Sequence, residues 1–479
     1  MPVEDSRALR EPGTGSGGVW PGEWVAKRLG VLLDDGERPV GAGLGDLVGL
    51  AVRRNPRRAH LLVSAVLGKH VPTDPRLVHG AGLLLGELVR GRLTGAAGSG
   101  PGASGPLLLA SLGGSPGAAA ALRDRLGESG PPVDAVVLGY AETATSLGHS
   151  VADALRGAYY LHSTRRPVAG FGTYGGFEEE HSHATSHLLL PADRAAFDRD
   201  VPVVLVDDEL STGRTVLNTI EALHAVRPRR RYVVAALVDV RGPDDRERTQ
   251  ALAAALGVRI DVVALAHGRV GLPEGVLEAG QQLVAGLSAG SVETGAPGTG
   301  FGVVRADLDW PAGLPDGGRH GFSPGDRGRL EEALPAMAGR VAARLPGAEG
   351  RVLVLGSEEL MYAPLRLAEA LADMLPRVDV RFSTTTRSPV LAVDDPGYAI
   401  RTRLAFPAHD DPADGTGERY AYNVAPGSDP ARAFDAIVLV VDDVADTRAL
   451  ADGLLARLAA LAPVVLATVP SFRGGGERP

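Results

Sequence analysis

Along residues 106–271, short apolar runs alternate with stretches whose apolar positions recur every three or four residues. The apolar runs fall at 106–112, 135–138, 158–162, 203–206, 232–238 and 260–264. Runs this short and continuous predict strands buried on both faces, and the helical spacing between them supplies the covering layers. The expected fold is α/β, a parallel sheet flanked by helices, with any ligand at the carboxyl ends of the strands. Ahead of it, residues 24–93 read as mainly helical, broken at 71–75 where Pro72 and Pro75 forbid a continuous helix. Residues 301–470 show a second strand and helix alternation. The boundaries expected are a tail at 1–20, an N-terminal unit at 21–105, a core at 106–280, a linker at 281–300, a second α/β domain at 301–470 and a tail at 471–479.

Composition narrows the chemistry more than the fold. A chain of 479 residues exceeds what one hydrophobic core usually serves, and 44% hydrophobic with 22% charged residues is an ordinary globular balance. There is no cysteine, which excludes thiolate metal sites, iron-sulfur clusters and a cysteine nucleophile. The formal net charge of -9 disfavours general attraction to a nucleic-acid backbone. No apolar stretch approaches the ~18 to 20 residues that span a bilayer, and the first residues lack the features of a secretion signal. The expectation is a cytoplasmic protein with neither membrane nor nucleic acid as partner. Only Lys27 and Lys69 are lysines among 49 basic residues, so the amine at position 69 stands out.

The strongest chemical signal is residues 203–215, an apolar strand, then Asp207 and Asp208, then Ser211-Thr212-Gly213-Arg214-Thr215 leading into a helix. Amides at a helix N-terminus, with three hydroxyls and a glycine that admits close approach, can wrap a phosphate monoester. The two acids at the strand end are placed to accept hydrogen bonds from vicinal hydroxyls of a sugar. This segment resembles the 5-phosphoribosyl 1-pyrophosphate (PRPP) signature of type I phosphoribosyltransferases. That resemblance gives residues 136–148 the role of the pyrophosphate turn, with Glu142 and Thr143 as contacts, and makes Arg165 and Arg166 counter-charges for the leaving group. It also implies a hood at 21–105 and a closing loop over the site.

The segment at 171–187 supplies that loop, with glycines for hinges and Glu180, His183 and His187 as candidate acid-base groups beside Lys69. A metal reading stays open, since His183 and His187 would share a helical face at i, i+4. The segments at 68–72 and 177–187, with Thr386-Arg387-Ser388-Pro389, resemble the phosphoribosyltransferases of bacterial tellurium-resistance and stress-response gene clusters, which carry a C-terminal TRSP domain. What the resemblance implies is transfer of phosphoribosyl from PRPP to an unidentified acceptor, Mg2+ carried by PRPP and not bound directly by the protein, and a product of nucleoside type. A non-catalytic PRPP-binding regulator, a phosphoribosyl hydrolase and a homodimer remain open.

The second unit carries a weak copy of the first. Val137-Leu-Gly-Tyr-Ala-Glu142 parallels Val354-Leu-Gly-Ser-Glu-Glu359, and residues 163–168 parallel 385–390. The paired acids recur at Asp442 and Asp443, but the glycine and hydroxyl turn does not. The expectation is a degenerate α/β domain with Glu359, Arg387 and Ser388 in a site of its own, for the acceptor or a second anion. Trp310 and residues 319–322 are placed to dock it onto the core.

Overall fold

The computed structural model describes residues 19–55, 58–95, 103–127, 130–166, 168, 170–178, 186–288, 300–409 and 417–473. The first half contains strands β1 (Leu32–Asp35), β2 (Val48–Val52), β3 (His60–Ser64), β4 (Val136–Gly139), β5 (Tyr159–His162), β6 (Gly175–Glu178), β7 (Ser186–Leu189), β8 (Val203–Leu210), β9 (Arg231–Asp239) and β10 (Arg259–Gly271). The second half contains β11 (Val303–Ala306), β12 (Gly350–Gly356), β13 (Val378–Thr384), β14 (Arg403–Pro407), β15 (Glu418–Tyr422), β16 (Ala436–Asp442) and β17 (Val464–Val469). A six-stranded sheet runs β1-β10-β9-β8-β4-β5, and a five-stranded sheet runs β11-β17-β16-β12-β13. Apart from β1, which is antiparallel to β10, both sheets are parallel.

Two sequence expectations need correction. The run at 106–112 is a helix, Gly105–Leu112, with Pro106 in its first turn, where a missing N–H costs no hydrogen bond. Its run of leucines does not distinguish a short buried strand from a helix. The stretch at 24–93 is not mainly helical, because β1 joins the large sheet and β2 pairs with β3 as an antiparallel hairpin. All five residues of β2 are buried, so this strand lacks the polar alternation that would have revealed it.

The degenerate second domain is real, and its likeness to the first goes deeper than the sequence shows. The order β9-β8-β4-β5 recurs as β17-β16-β12-β13. Gly139 pairs with His162 across β4 and β5, and Gly356 pairs with Thr384 across β12 and β13. One residue on, Ser163 N–H donates to the Gly139 carbonyl at 2.9 Å and Thr385 N–H to the Gly356 carbonyl at 3.1 Å. Thr164 bridges Leu188 of β7 just as Thr386 bridges Tyr420 of β15, so the hairpins β6-β7 and β14-β15 correspond as well. With Gly139 matched to Gly356, the register across the neighbouring strands matches Asp208 to Asp442 and Glu209 to Asp443. Both glycines are required, since a Cβ on Gly139 would lie 2.8 Å from the Ala144 carbonyl and one on Gly356 2.7 Å from that of Leu360.

The two copies exchange the segments that precede them. Thr73 forms a bridge with Phe382 on the edge strand of the second sheet, and Phe322 forms the matching bridge with Tyr160 on the edge strand of the first. Each segment then starts a helix with an N-cap and a proline, Asp74 before Pro75–Thr94 and Ser323 before Pro324–Ala342. These helices pack on their own copies, against Thr145–Leu155 and Tyr362–Met374 respectively. The expected docking role of residues 319–322 is thereby met. His79 ties the copies further, with Nδ1 3.0 Å from Glu369 of the second copy and Nε2 3.2 Å from Asp153 of the first.

Candidate active site

The strand ends of the first sheet gather the chemistry. β8 delivers Asp207 and Asp208, both half-buried, and the chain then turns through Ser211 and Thr212 to Gly213. Gly213 takes the left-handed conformation at φ 73° as N-cap of the helix Arg214–Val226 and, being glycine, brings no capping side chain of its own. Its first turn therefore keeps donors for a ligand. A Cβ at Gly213 would stand 3.1 Å from Arg241 Cδ. Arg214 N–H reaches Thr212 Oγ1 at 3.4 Å, and the Thr215 carbonyl accepts from the Thr219 hydroxyl. Asp208 N–H donates to Asp207 Oδ1 at 3.0 Å, which fixes the bend between the acids.

Lys69 connects this turn to the one after β4. It is buried at the head of the exchanged segment, and its Nζ donates to Thr143 Oγ1. Burial lowers its pKa, while the charges of Glu142 and Asp208, one from each turn, work to restore it. In return Lys69 opposes the upward push that burial exerts on Asp208. Glu142 is buried and raised, by burial first and by Glu358 second, against the cations Lys69, Arg387 and Arg165. The amine at 69 thus lies between the acids of two adjacent strand ends.

The remaining candidates divide. Arg165 faces Glu142 and Lys69 electrostatically, with its amide 3.3 Å from Glu359 Oε1. Arg166 turns away from this site, its guanidinium 3.5 Å from Glu358 and 3.8 Å from Asp442 of the second copy. His187 is buried in β7, a strand and not the helix that an i, i+4 pair with His183 requires. Its Nδ1 lies 2.8 Å from Ser163 Oγ, which also accepts from Ala141 N–H at 3.0 Å, so His187 braces the turn after β4. Glu180 and His183 fall outside the described residues. In the second copy, Arg387 does not form a separate site with Glu359 and Ser388. Its Nε lies 3.0 Å from Glu142, whereas Glu359 accepts from Thr164 and Arg319, and Ser388 N–H closes its own turn on Thr386 Oγ1.

Sequence reading missed the residues that cover the strand ends. Arg58, between β2 and β3, pairs with Glu209, and His60 beside it is driven to about 4 by burial and by Arg58. Arg241 holds Asp239 at 2.9 Å next to the turn at Gly213, with His267 3.3 Å from the same aspartate. The only available signal was that Asp239 ends an apolar run as Asp207 does.

Comparison with known proteins agrees with this geometry. Residues 47–269 match a family model described as phosphoribosyl transferase, and residues 316–458 match one described as the TRSP domain C-terminal to that transferase. No curated protein matches the chain significantly. Among solved structures, the chain is similar to adenine phosphoribosyltransferase from Trypanosoma brucei at 19% identity, over 29% of this chain and 60% of that one, with a TM-score of 0.22. The chain thus spans less than two thirds of that relative. Adenine phosphoribosyltransferase from Giardia lamblia matches at 19% identity over 32% and 83% of the two chains, TM-score 0.23. The Leishmania donovani enzyme matches at 20% over 33% and 68%, TM-score 0.22. The two family matches, lying in order along one chain over the two related sheets, place this protein among the phosphoribosyltransferases that carry a C-terminal TRSP domain.

Proposed function

We propose that the protein transfers the 5-phosphoribosyl group of PRPP to a small-molecule acceptor and releases pyrophosphate. The observation that carries this reading is Lys69, whose buried amine donates to Thr143 at one strand end and is acted on by the charges of Glu142 beside it and Asp208 on the next strand. The uncapped turn at Ser211 to Thr215 receives the 5-phosphate, Asp207 and Asp208 accept from the ribose hydroxyls, and Thr143 with Lys69 faces the pyrophosphate. Breaking the C1–O bond sends its electron pair to pyrophosphate, while the acceptor's lone pair forms the new bond at C1 and its proton passes to a base. Fixed carboxylates near the ring favour an oxocarbenium-like transition state, and buried cations favour the leaving group.

Among the described residues, no three His, Asp or Glu side chains converge as a metal cage. The acids Asp207, Asp208 and Glu142 still offer hard oxygens, which fit a Mg2+ that draws its other ligands from the donor. When bound, that ion supplies charge neutralisation for the pyrophosphate. Serine at 211 is too weak a base to serve a purine ring, so standard 6-oxopurine salvage is disfavoured, and a base from the hood or the closing loop would have to take that task. A place in tellurium or stress response rests on the family resemblance alone. Among the described residues no helix is long and apolar enough to cross a membrane.

Calorimetric titration of the full chain with PRPP and Mg2+ tests the reading. Saturable binding is expected, and binding that survives Asp207→Asn with Asp208→Asn unchanged overturns it.

A further inference from the structure

The two copies face each other through a reciprocal exchange of turns. The register that matches Gly139 to Gly356 makes Glu142 equivalent to Glu359, and the one that matches Ser163 to Thr385 makes Arg165 equivalent to Arg387. Arg387 of the second copy reaches Glu142 of the first at 3.0 Å. Thr164 Oγ1 and Arg165 N–H of the first copy reach Glu359 of the second at 2.9 and 3.3 Å. This is the contact pattern of a two-fold dimer interface, in which one patch meets its own equivalent, built here within one chain.

The exchange brings a guanidinium into the first site. Arg387 also pairs with Glu358 at 2.6 Å, which in turn holds Arg419 at 2.6 Å and Arg166 at 3.5 Å. Side-chain exposure separates the members of this network. Glu358, Arg419, Glu142 and Arg166 are 1%, 5%, 8% and 10% exposed, whereas Arg387 is 20% exposed. Arg387 is therefore the member of this network most accessible to a ligand, and it stands against the turn that also carries Thr143. An anion arriving beside a buried glutamate needs a cation already in place, and a guanidinium can share its planar donors between a carboxylate and phosphate oxygens.

We propose that Arg387 contacts the pyrophosphate moiety of the donor, so that the C-terminal copy acts as a built-in partner subunit completing the transferase site. The proposal rests on the reading of the first site given above, and it assigns the TRSP turn a direct role in ligand binding.

Titrations of the full chain, R387A and R387K with PRPP, inorganic pyrophosphate and ribose 5-phosphate, each with Mg2+, test it. R387A is expected to weaken pyrophosphate and PRPP at least about tenfold and to leave ribose 5-phosphate, held by the Ser211 to Thr215 turn, within about twofold. R387K, which keeps the charge and loses the planar fork, is expected to fall between. If R387A does not fold, R387K and R387Q carry the same comparison. Wild-type pyrophosphate and PRPP affinity in folded variants overturns the proposal, as does equal weakening of all three ligands with a lowered unfolding temperature, the mark of a merely structural arginine. A wild-type chain that binds neither PRPP nor ribose 5-phosphate instead overturns the proposed function itself.

Discussion

The two copies keep the same strand order, yet different cations stand against the acids at their strand ends. In the first, Lys69 approaches Thr143 and the acids Glu142 and Asp208. In the second, Arg319, one residue beyond the register equivalent of Lys69, pairs with Glu359 at 3.1 Å and faces Asp442. Arg166 crosses from the first copy to within 3.8 Å of Asp442. Its equivalent in the second copy is Ser388, too short to cross back to Asp208. Arginines thus face the acids of the second copy, whereas in the first Lys69 acts on Glu142 and Asp208, and Glu142 also meets Arg387 from the second copy. On the proposed function, the second copy would have lost its role by filling its site with internal ion pairs as well as by lacking the turn at Ser211 to Thr215.

The largest effect expected from breaking this asymmetry is at Gly213. Gly213→Val places a branched side chain at φ 73° and against Arg241, and PRPP binding should fall below detection by calorimetry while the circular dichroism spectrum is kept. Asp207→Asn with Asp208→Asn should weaken PRPP by roughly 100-fold, because two charge-assisted contacts are lost. The pair Asp442→Asn with Asp443→Asn, which the register matches to Asp208 and Glu209, should leave PRPP affinity unchanged, and a matching loss would show that both copies bind the donor.

Lys69 and Arg319 sharpen the contrast in a different quantity. Lys69→Met should weaken PRPP by about tenfold and cost less stability than Arg319→Met, since Glu142 keeps Arg387 as a partner. Arg319→Met should leave PRPP affinity in place and cost about 3 to 5 kcal/mol in urea unfolding, because Glu359 would stay buried without its main partner. If the two variants show the same profile, the copies are not functionally divided.

The smallest effect concerns the seam between the copies. Burial lowers the pKa of His79, but Glu369 and Asp153 more than reverse this, so the native value is raised. Arg366 and Arg123 complete the cluster around Glu369. A raised native pKa means that the stabilisation from protonated His79 is full below about pH 6.5 and is lost as pH rises through the native value. Urea unfolding across that window should show falling stability in the wild type and a flatter profile in His79→Gln.

Much of the first site was legible because its parts are local. Residues 203–215 contain strand, acids, glycine and helix start in one uninterrupted segment, and the structure keeps them in that order. The turn after β4 was legible for the same reason, and the repeat was visible in its glycine and arginine turns. The hairpin β2-β3 was not, because a strand buried on every side loses the alternation by which strands are recognised. The direction of Arg166 was unreadable too, since adjacent arginines in one turn have the same sequence context but reach different copies.

What the sequence by itself determined is the set of short-range devices: which runs form strands, where the chain turns tightly, and which turn can hold a phosphate. These depend on backbone freedom, side-chain period and the spacing of a few polar groups, all of which act within about a dozen residues. What only the tertiary structure decided is which long side chain neutralises which acid. Glu142 meets Arg387 from the far copy, Lys69 is held in a segment bridged to the second sheet, and Arg166 reaches Asp442. Such pairings follow from packing the two copies against each other and burying charge between them, where a low dielectric makes each unpaired ion costly and the nearest counter-charge in space, not in sequence, sets the outcome.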